Sequence, residues 1–138
     1  MAAAMQGARQ AKNYVDGDTI AVLPGFDPAD ADESADIVIA TGLNLARNMI
    51  VANSDAVIVV GGGAGTLSEI ALAWQLRRPI VALQVTGWGK RFASARIDGR
   101  IRQQAVSSDK VFGAKTPVEA VQIIMSLIPK YTKRMRYV

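Results

Sequence analysis

Apolar residues along the chain gather into short, nearly continuous runs separated by polar or glycine-bearing stretches. Residues 18–24 (Asp-Thr-Ile-Ala-Val-Leu-Pro) and residues 36–41 are two such runs, and each reads as a strand buried on both faces. Residues 56–60 place four β-branched side chains after one alanine, the most strand-like stretch of all. Residues 79–83 and 110–113 complete the set.

Between these runs the period changes. Residues 1–13 read as a helix with Met1, Ala4, Met5, Ala8 and Ala11 on one side, and residues 43–52 as another through Leu45, Met49 and Ala52. A third helix begins at Thr66 and runs to about Leu76, with Leu67, Ile70, Ala71 and Trp74 as its apolar, core- or dimer-facing side. A short helix is expected around residues 99–106. The last opens at Thr116-Pro117-Val118-Glu119, a capping-box pattern with proline in the first turn, and stops at Pro129. Residues 26–34 and 86–98 read as loops. Such alternation of strand and helix implies βαβ units and an α/β fold, a parallel sheet with helices on both faces.

Composition narrows the chemistry. The 138 residues fit one domain. There is no cysteine and no histidine, which excludes disulfides, thiolate chemistry, a Ser-His-Asp triad and histidine-held metals. The missing cysteines fit a reducing compartment, and a cytoplasmic location is expected. No run of about 18 apolar residues offers a membrane span, and the N-terminus lacks a signal-peptide pattern. The formal charge of +4 owes much to Lys130, Lys133, Arg134 and Arg136, read as a solvated tail rather than a nucleic-acid contact.

The strand at residues 56–60 runs into Gly61-Gly62-Gly63-Ala64-Gly65-Thr66. Ligands of open α/β sheets bind beyond the carboxyl ends of strands. Successive glycines allow a tight turn with no side chains in the way, and the helix that follows offers unpaired N–H groups to an anion. A phosphate is the natural guest. No lysine follows the glycines, so this is not a Walker A loop, and Thr66 stands where the dinucleotide fingerprint has its third glycine. Thr66 and Glu69 have two readings. They form either a capping box, with Thr66 just before the helix, or part of a ligand cleft in which Glu69 meets ribose hydroxyls or moves a proton.

Three stretches resemble one known family. Residues 61–69 (Gly-Gly-Gly-Ala-Gly-Thr-Leu-Ser-Glu) are similar to the GGxGTxxE signature of the lysine-decarboxylase-like LOG superfamily (SLOG), which includes the nucleoside-monophosphate phosphoribohydrolases. Residues 23–28 (LPGFDP), residues 39–42 with Ala46-Arg47-Asn48, and residues 54–73 resemble the subgroup of molybdenum cofactor carrier-like proteins. The resemblance implies a Rossmann-like fold and a homo-oligomer. It implies phosphate or ligand binding by Gly61, Gly62, Gly63, Gly65, Thr66, Gly42 and Asn48, with a nucleotide or the molybdenum cofactor as bound ligand. If the protein is an enzyme, Glu69 and Arg47 take the catalytic roles. Gly61 in place of the hydrolases' proline, and Asn48 in place of the lysine after their arginine, match the carrier-like subgroup. The resemblance also places Met1 just after a first βα unit with its own glycine-rich loop. A truncated domain and a side covered by a partner subunit are both open.

Two functions follow. One is a binding or carrier protein for a phosphorylated, nucleotide- or pterin-like small molecule. The other is a nucleoside 5′-monophosphate phosphoribohydrolase. Trp88 and Phe92, with Arg91 and Arg96 interleaved, read either as a stacking platform or as aromatics folded onto the sheet. Asp27, Asp30, Asp32 and Glu33 read as a solvated loop rather than a metal site.

Overall fold

The computed structural model describes residues 2–131. In chain order the elements are α1 (Ala2–Arg9), β1 (Ile20–Leu23), β2 (Ile37–Ala40), α2 (Arg47–Ala52), β3 (Val57–Val60), α3 (Ala64–Gln75), β4 (Ile80–Leu83), α4 (Gly87–Phe92), β5 (Val111–Ala114) and α5 (Pro117–Tyr131). Short 3-10 turns occupy Pro28–Asp30 and Asn44–Ala46. The chain divides into two compact units, Met1–Ile50 and Val51–Val138.

In the second unit β4 lies between β3 and β5, and both pairings are parallel. No residue of β4 is polar, and all four are buried. Their side chains alternate between two cores, as pleating requires. Ile80 and Ala82 join Val59, Ile70, Ala73, Trp74 and Val111, with Trp88 and Phe92 packed against them. Val81 and Leu83 join Ala114, Ala120, Ile124, Leu127 and Tyr131. Helices α3 and α4 therefore cover one face and α5 the other, as the apolar run predicts. Each large side chain buried this way contributes roughly 1.5–3 kcal/mol.

The first unit holds β1 and β2, paired parallel with Ile20 opposite Ile37 and Leu23 opposite Ala40. Neither strand is buried on both faces, contrary to the sequence expectation. Ala21 and Leu23 are buried, whereas Ile20, Ile37 and Ile39 on the opposite face are 52%, 43% and 44% exposed. Asp36, just before β2, ties the N-terminal segment to the strands. Its carboxylate accepts from the hydroxyls of Tyr14 and Thr19, the N–H groups of Gly17 and Thr19, and the Arg9 guanidinium.

Several element boundaries differ from expectation. Helix α1 ends at Arg9 rather than at residue 13. Residues 43–52 form a 3-10 turn followed by the six-residue α2, and Leu45 and Met49 stay exposed. A helix, α4, stands within the stretch read as a loop, while residues 99–106 carry no helix. There Arg102 turns inward. Its guanidinium bonds Asp109 at 2.6 and 2.9 Å, donates to the Arg78 carbonyl at 3.0 Å and lies 3.6 Å over the Trp74 ring. Helix α5 runs through Pro129 to Tyr131, whose hydroxyl bonds the same Asp109. Its N-terminus follows the capping pattern, with the Glu119 N–H donating to Thr116 Oγ1 at 3.1 Å and the Glu119 carboxylate accepting from the Lys115 N–H at 2.7 Å.

Candidate functional site: the glycine turn

Strand β3 ends at Val60, and the next two residues reverse the chain in the left-handed region, Gly61 at φ +65° and Gly62 at φ +97°. Side chains rarely adopt such angles. Gly62 is also closed to substitution by its neighbour, since a Cβ there would lie 2.1 Å from Thr66 Oγ1. The carbonyls of both glycines point to α4. Gly61 O accepts from the Gly89 N–H at 3.0 Å and Gly62 O from the Trp88 N–H at 3.1 Å. The α4 segment reaches them because Gly87, at φ +59°, has no Cβ. One placed there would stand 2.4 Å from Gly62 O.

Gly63 is the cap residue of α3, at φ −102° and ψ −147°. The Leu67 N–H donates to its carbonyl at 3.0 Å. The N–H groups of Ala64, Gly65 and Thr66 precede that bond and have no acceptor within the helix. Together with the positive end of the helix dipole they form an arrangement suited to an anion. A Cβ built on Gly63 or Gly65 would meet nothing within 4 Å, so the space before these two residues is open.

The position of α3 decides between the two readings of Thr66 and Glu69. The helix starts at Ala64, so Thr66 is its third residue and Glu69 its sixth. A capping box needs the threonine just before the helix. That reading is therefore overturned. Glu69 is half-buried and lies one turn along from Gly65 and Thr66, on the same side of α3. Ser68, between them, donates its hydroxyl to Gly65 O at 2.7 Å. The apolar side of α3 is core, with Ile70 and Trp74 fully buried.

Gly42, Arg47 and Asn48 belong to the first unit. Gly42 (φ +63°) follows β2 and donates its N–H to Gly25 O at 2.9 Å. Arg47 is half-buried at the start of α2, and Asn48 beside it is buried. The glycine turn, Thr66 and Glu69 belong to the second unit.

The other sequence candidates have structural roles. Trp88 and Phe92 stack at 5.8 Å and pack on the core, which removes the stacking-platform reading. Arg91 sits 4.6 Å over Trp88, and Arg96 donates to the carbonyls of Asp98 and Arg100. Asp27 accepts from the Ala29 N–H and Asp32 from the Ser34 N–H, local turns within the acidic loop. Of the basic tail, residues 132–138 lie outside the described residues. Sequence reasoning missed the part played by Gly87, Trp88 and Gly89. The available signal was two glycines flanking a tryptophan soon after a strand.

This arrangement of strand, glycine turn and helix has relatives. The model of the SLOG cluster4 family matches residues 1–121. The chain belongs to that family. Among solved SLOG-like structures, the molybdenum cofactor carrier protein from Chlamydomonas reinhardtii is 34% identical with a TM-score of 0.67, over 92% of this chain and 69% of that one. The molybdenum cofactor binding protein from the phototrophic bacterium Rippkaea orientalis is 32% identical with a TM-score of 0.65, over 91% of this chain and 69% of that one. An uncharacterized protein from Archaeoglobus fulgidus is 40% identical over 85 residues, 61% of this chain. The match spans about half of that relative, 53% of its length. The fold is thus α/β and Rossmann-like, and the resemblance to SLOG proteins with carrier-like members is established. Among the described residues no helix is long and apolar enough to cross a membrane.

Proposed function

We propose that this protein binds and carries a phosphorylated small molecule with a nucleotide- or pterin-like ring, as the molybdenum cofactor carriers named among its structural relatives do for their cargo. The observation that carries the reading is the glycine turn. Its carbonyls are taken up by α4, while the N–H groups at the start of α3 and the open space before Gly63 and Gly65 remain for a phosphate. Gly61, Gly62, Gly63, Gly65 and Thr66 form that subsite. A homo-oligomer is part of the proposal, by likeness to the family. The resemblance adds Gly42 and Asn48 as ligand contacts.

A second reading, hydrolysis of a nucleoside 5′-monophosphate, is favoured by the place of Glu69. It is not a capping residue, and it stands one turn from the phosphate subsite on the same helix side. The family resemblance attaches Arg47 to the same reaction.

A thermal-shift panel at low salt tests both. The probes are AMP, other nucleoside monophosphates, pterin phosphates and inorganic phosphate. A probe at about 100 times its dissociation constant stabilises the folded protein by roughly 2.7 kcal/mol. A shift with one class, lost in Gly63→Val, supports carriage. Free base released from AMP, and abolished in Glu69→Gln, would assign hydrolysis instead. If no probe shifts the transition, the phosphate subsite is absent and the proposal fails.

A further inference from the structure

Helix α5 has two apolar sides. Its inner side, Ala120, Ile124, Leu127 and Tyr131, is buried in the core beneath the sheet. Its outer side carries Val118, Val121 and Met125 at helical spacing, and these are 66%, 50% and 62% exposed. Gln122 and Pro129 share that side and are also exposed. A surface helix ordinarily turns charged residues to solvent, and one that is apolar on opposite sides is ordinarily covered on both. A contiguous exposed apolar stripe of this kind marks a contact surface.

The charges of α5 indicate what covers it. The helix has two, Glu119 and Lys130. Eleven residues apart, they stand three turns from each other on one flank of the apolar stripe. The residue midway along the helix is Ile124, with Glu119 five positions before it and Lys130 six after. A second α5 laid antiparallel about that midpoint brings the same flank of both helices to the same side. Glu119 of each copy then stands level with Lys130 of the other, and the two-fold axis makes the pair twice. A parallel pair would instead set Glu119 against Glu119 and Lys130 against Lys130. The stripe also complements itself in the antiparallel arrangement. Met125 meets its counterpart beside the axis, Val121 falls level with Ile128, and no charge is trapped between the helices.

We infer that the outer side of α5 is a self-association surface, on which a second copy of this chain docks antiparallel through its own α5. The carrier reading takes a homo-oligomer from family likeness. This surface is argued from α5 and makes no use of the ligand or the glycine turn.

Sedimentation equilibrium of the whole chain tests it, with introduced cysteines reporting the register. Met125→Glu sets two carboxylates beside the axis and weakens association by roughly thirtyfold or more. The side chain is exposed, so the circular dichroism spectrum of that variant matches the wild type. Glu119→Lys and Lys130→Glu each place like charges level and associate less tightly than the wild type at low salt. Mixed in equal amounts, the two associate more tightly than either alone, which a folding defect cannot imitate. The chain has no cysteine, so a single introduced one reports on its counterpart. Met125→Cys forms a disulfide-linked dimer on mild oxidation, whereas two Val118→Cys positions lie about 20 Å apart along the axis and do not. Association unchanged in Met125→Glu overturns the inference and moves the interface elsewhere, leaving the homo-oligomer of the carrier reading in place. A wild type that stays monomeric at millimolar concentration overturns both. Linkage of Val118→Cys without linkage of Met125→Cys overturns the antiparallel docking.

Discussion

Gly87 approaches Gly62 so closely that the first carbon of any side chain at 87 would lie 2.4 Å from the carbonyl oxygen of 62. The Trp88 N–H, next along the chain, bonds that same oxygen. The short helix α4 therefore braces the glycine turn from behind, and the carbonyls of the turn are committed before any ligand arrives.

Gly87→Ala must therefore push the two segments apart. The left-handed φ of +59° alone costs an alanine about 1–2 kcal/mol. The contact with Gly62 adds to this. Urea unfolding should show a loss larger than the strain figure, and NMR should show shifted amide signals for Gly62 and Gly63. Unchanged amide signals would mean that α4 does not brace the turn.

Gly62 and Gly63 are neighbours with opposite tolerance. Gly62→Ala combines φ +97° with a clash on Thr66 and should cost on the order of 1–3 kcal/mol. Gly63→Ala, at φ −102° with open space ahead, should leave stability within about 1 kcal/mol of the wild type. Denaturation midpoints decide it. Equal losses at both positions would remove the steric account.

Arg102 and Asp109 form an ion pair whose side chains are 0% and 4% exposed. Arg102→Met leaves the Asp109 carboxylate buried without its main partner and should cost about 3–5 kcal/mol. Burial, then the bond to Asp109, pushes the Tyr131 hydroxyl up from its ordinary pKa. Tyr131→Phe removes one bond but leaves the ion pair, so it should cost only about 1 kcal/mol. Chemical denaturation of both variants checks the order.

The Tyr14–Asp36 pair makes the first unit sensitive to pH at both extremes. The Tyr14 hydroxyl, then that of Thr19, stabilises the Asp36 carboxylate against a desolvation cost and holds its pKa below the ordinary range. A depressed carboxylate adds stability above its unfolded pKa of about 4, and that stability is lost as pH falls toward the folded value. The bond to Asp36 pushes Tyr14 up to about 12. A raised tyrosine adds stability that is complete below its unfolded pKa of about 10 and lost as pH rises through the folded value. Thermal melts should show this contribution flat from roughly pH 4 to 10. Tyr14→Phe should remove the alkaline loss and move the acid loss to higher pH.

Where sequence patterns are repeated by packing, they were readable. Residues 79–83 became the central strand of a parallel sheet because an uninterrupted apolar run is at home where both faces are covered, and residues 56–60 became its neighbour, although Ile58 and Val60 stay exposed there. The glycines at 61 and 62 marked the turn for a similar reason, since two successive left-handed residues admit little else. The failures lie where distant contacts override local preference. Gly87 and Gly89 are poor helix formers, so residues 86–98 read as a loop, yet Trp88 and Phe92 are spaced four apart and pack on the core. Residues 99–106 read as a helix, yet Arg102 is drawn inward by Asp109 and the Arg78 carbonyl. Pro129 read as a stop, yet α5 continues because Tyr131 has a buried partner beyond it. In the site, Thr66 and Glu69 have the spacing of a capping box, and only the true start of α3 excludes it.

Residues 93–110 contain neither helix nor strand, which would ordinarily mark them for rapid hydrogen exchange and for proteolytic cutting. Arg102 changes that. Opening the segment would pull the Arg102 guanidinium from the Arg78 carbonyl and the Trp74 ring, and Asp109 from the Tyr131 hydroxyl, at once. At its ends the Ser94 N–H donates to Val111 O and the Val111 N–H to Ala95 O. The segment is a cooperative part of the second unit. Its inner amides should exchange with those of β4, and a protease should find it only when that unit unfolds as a whole.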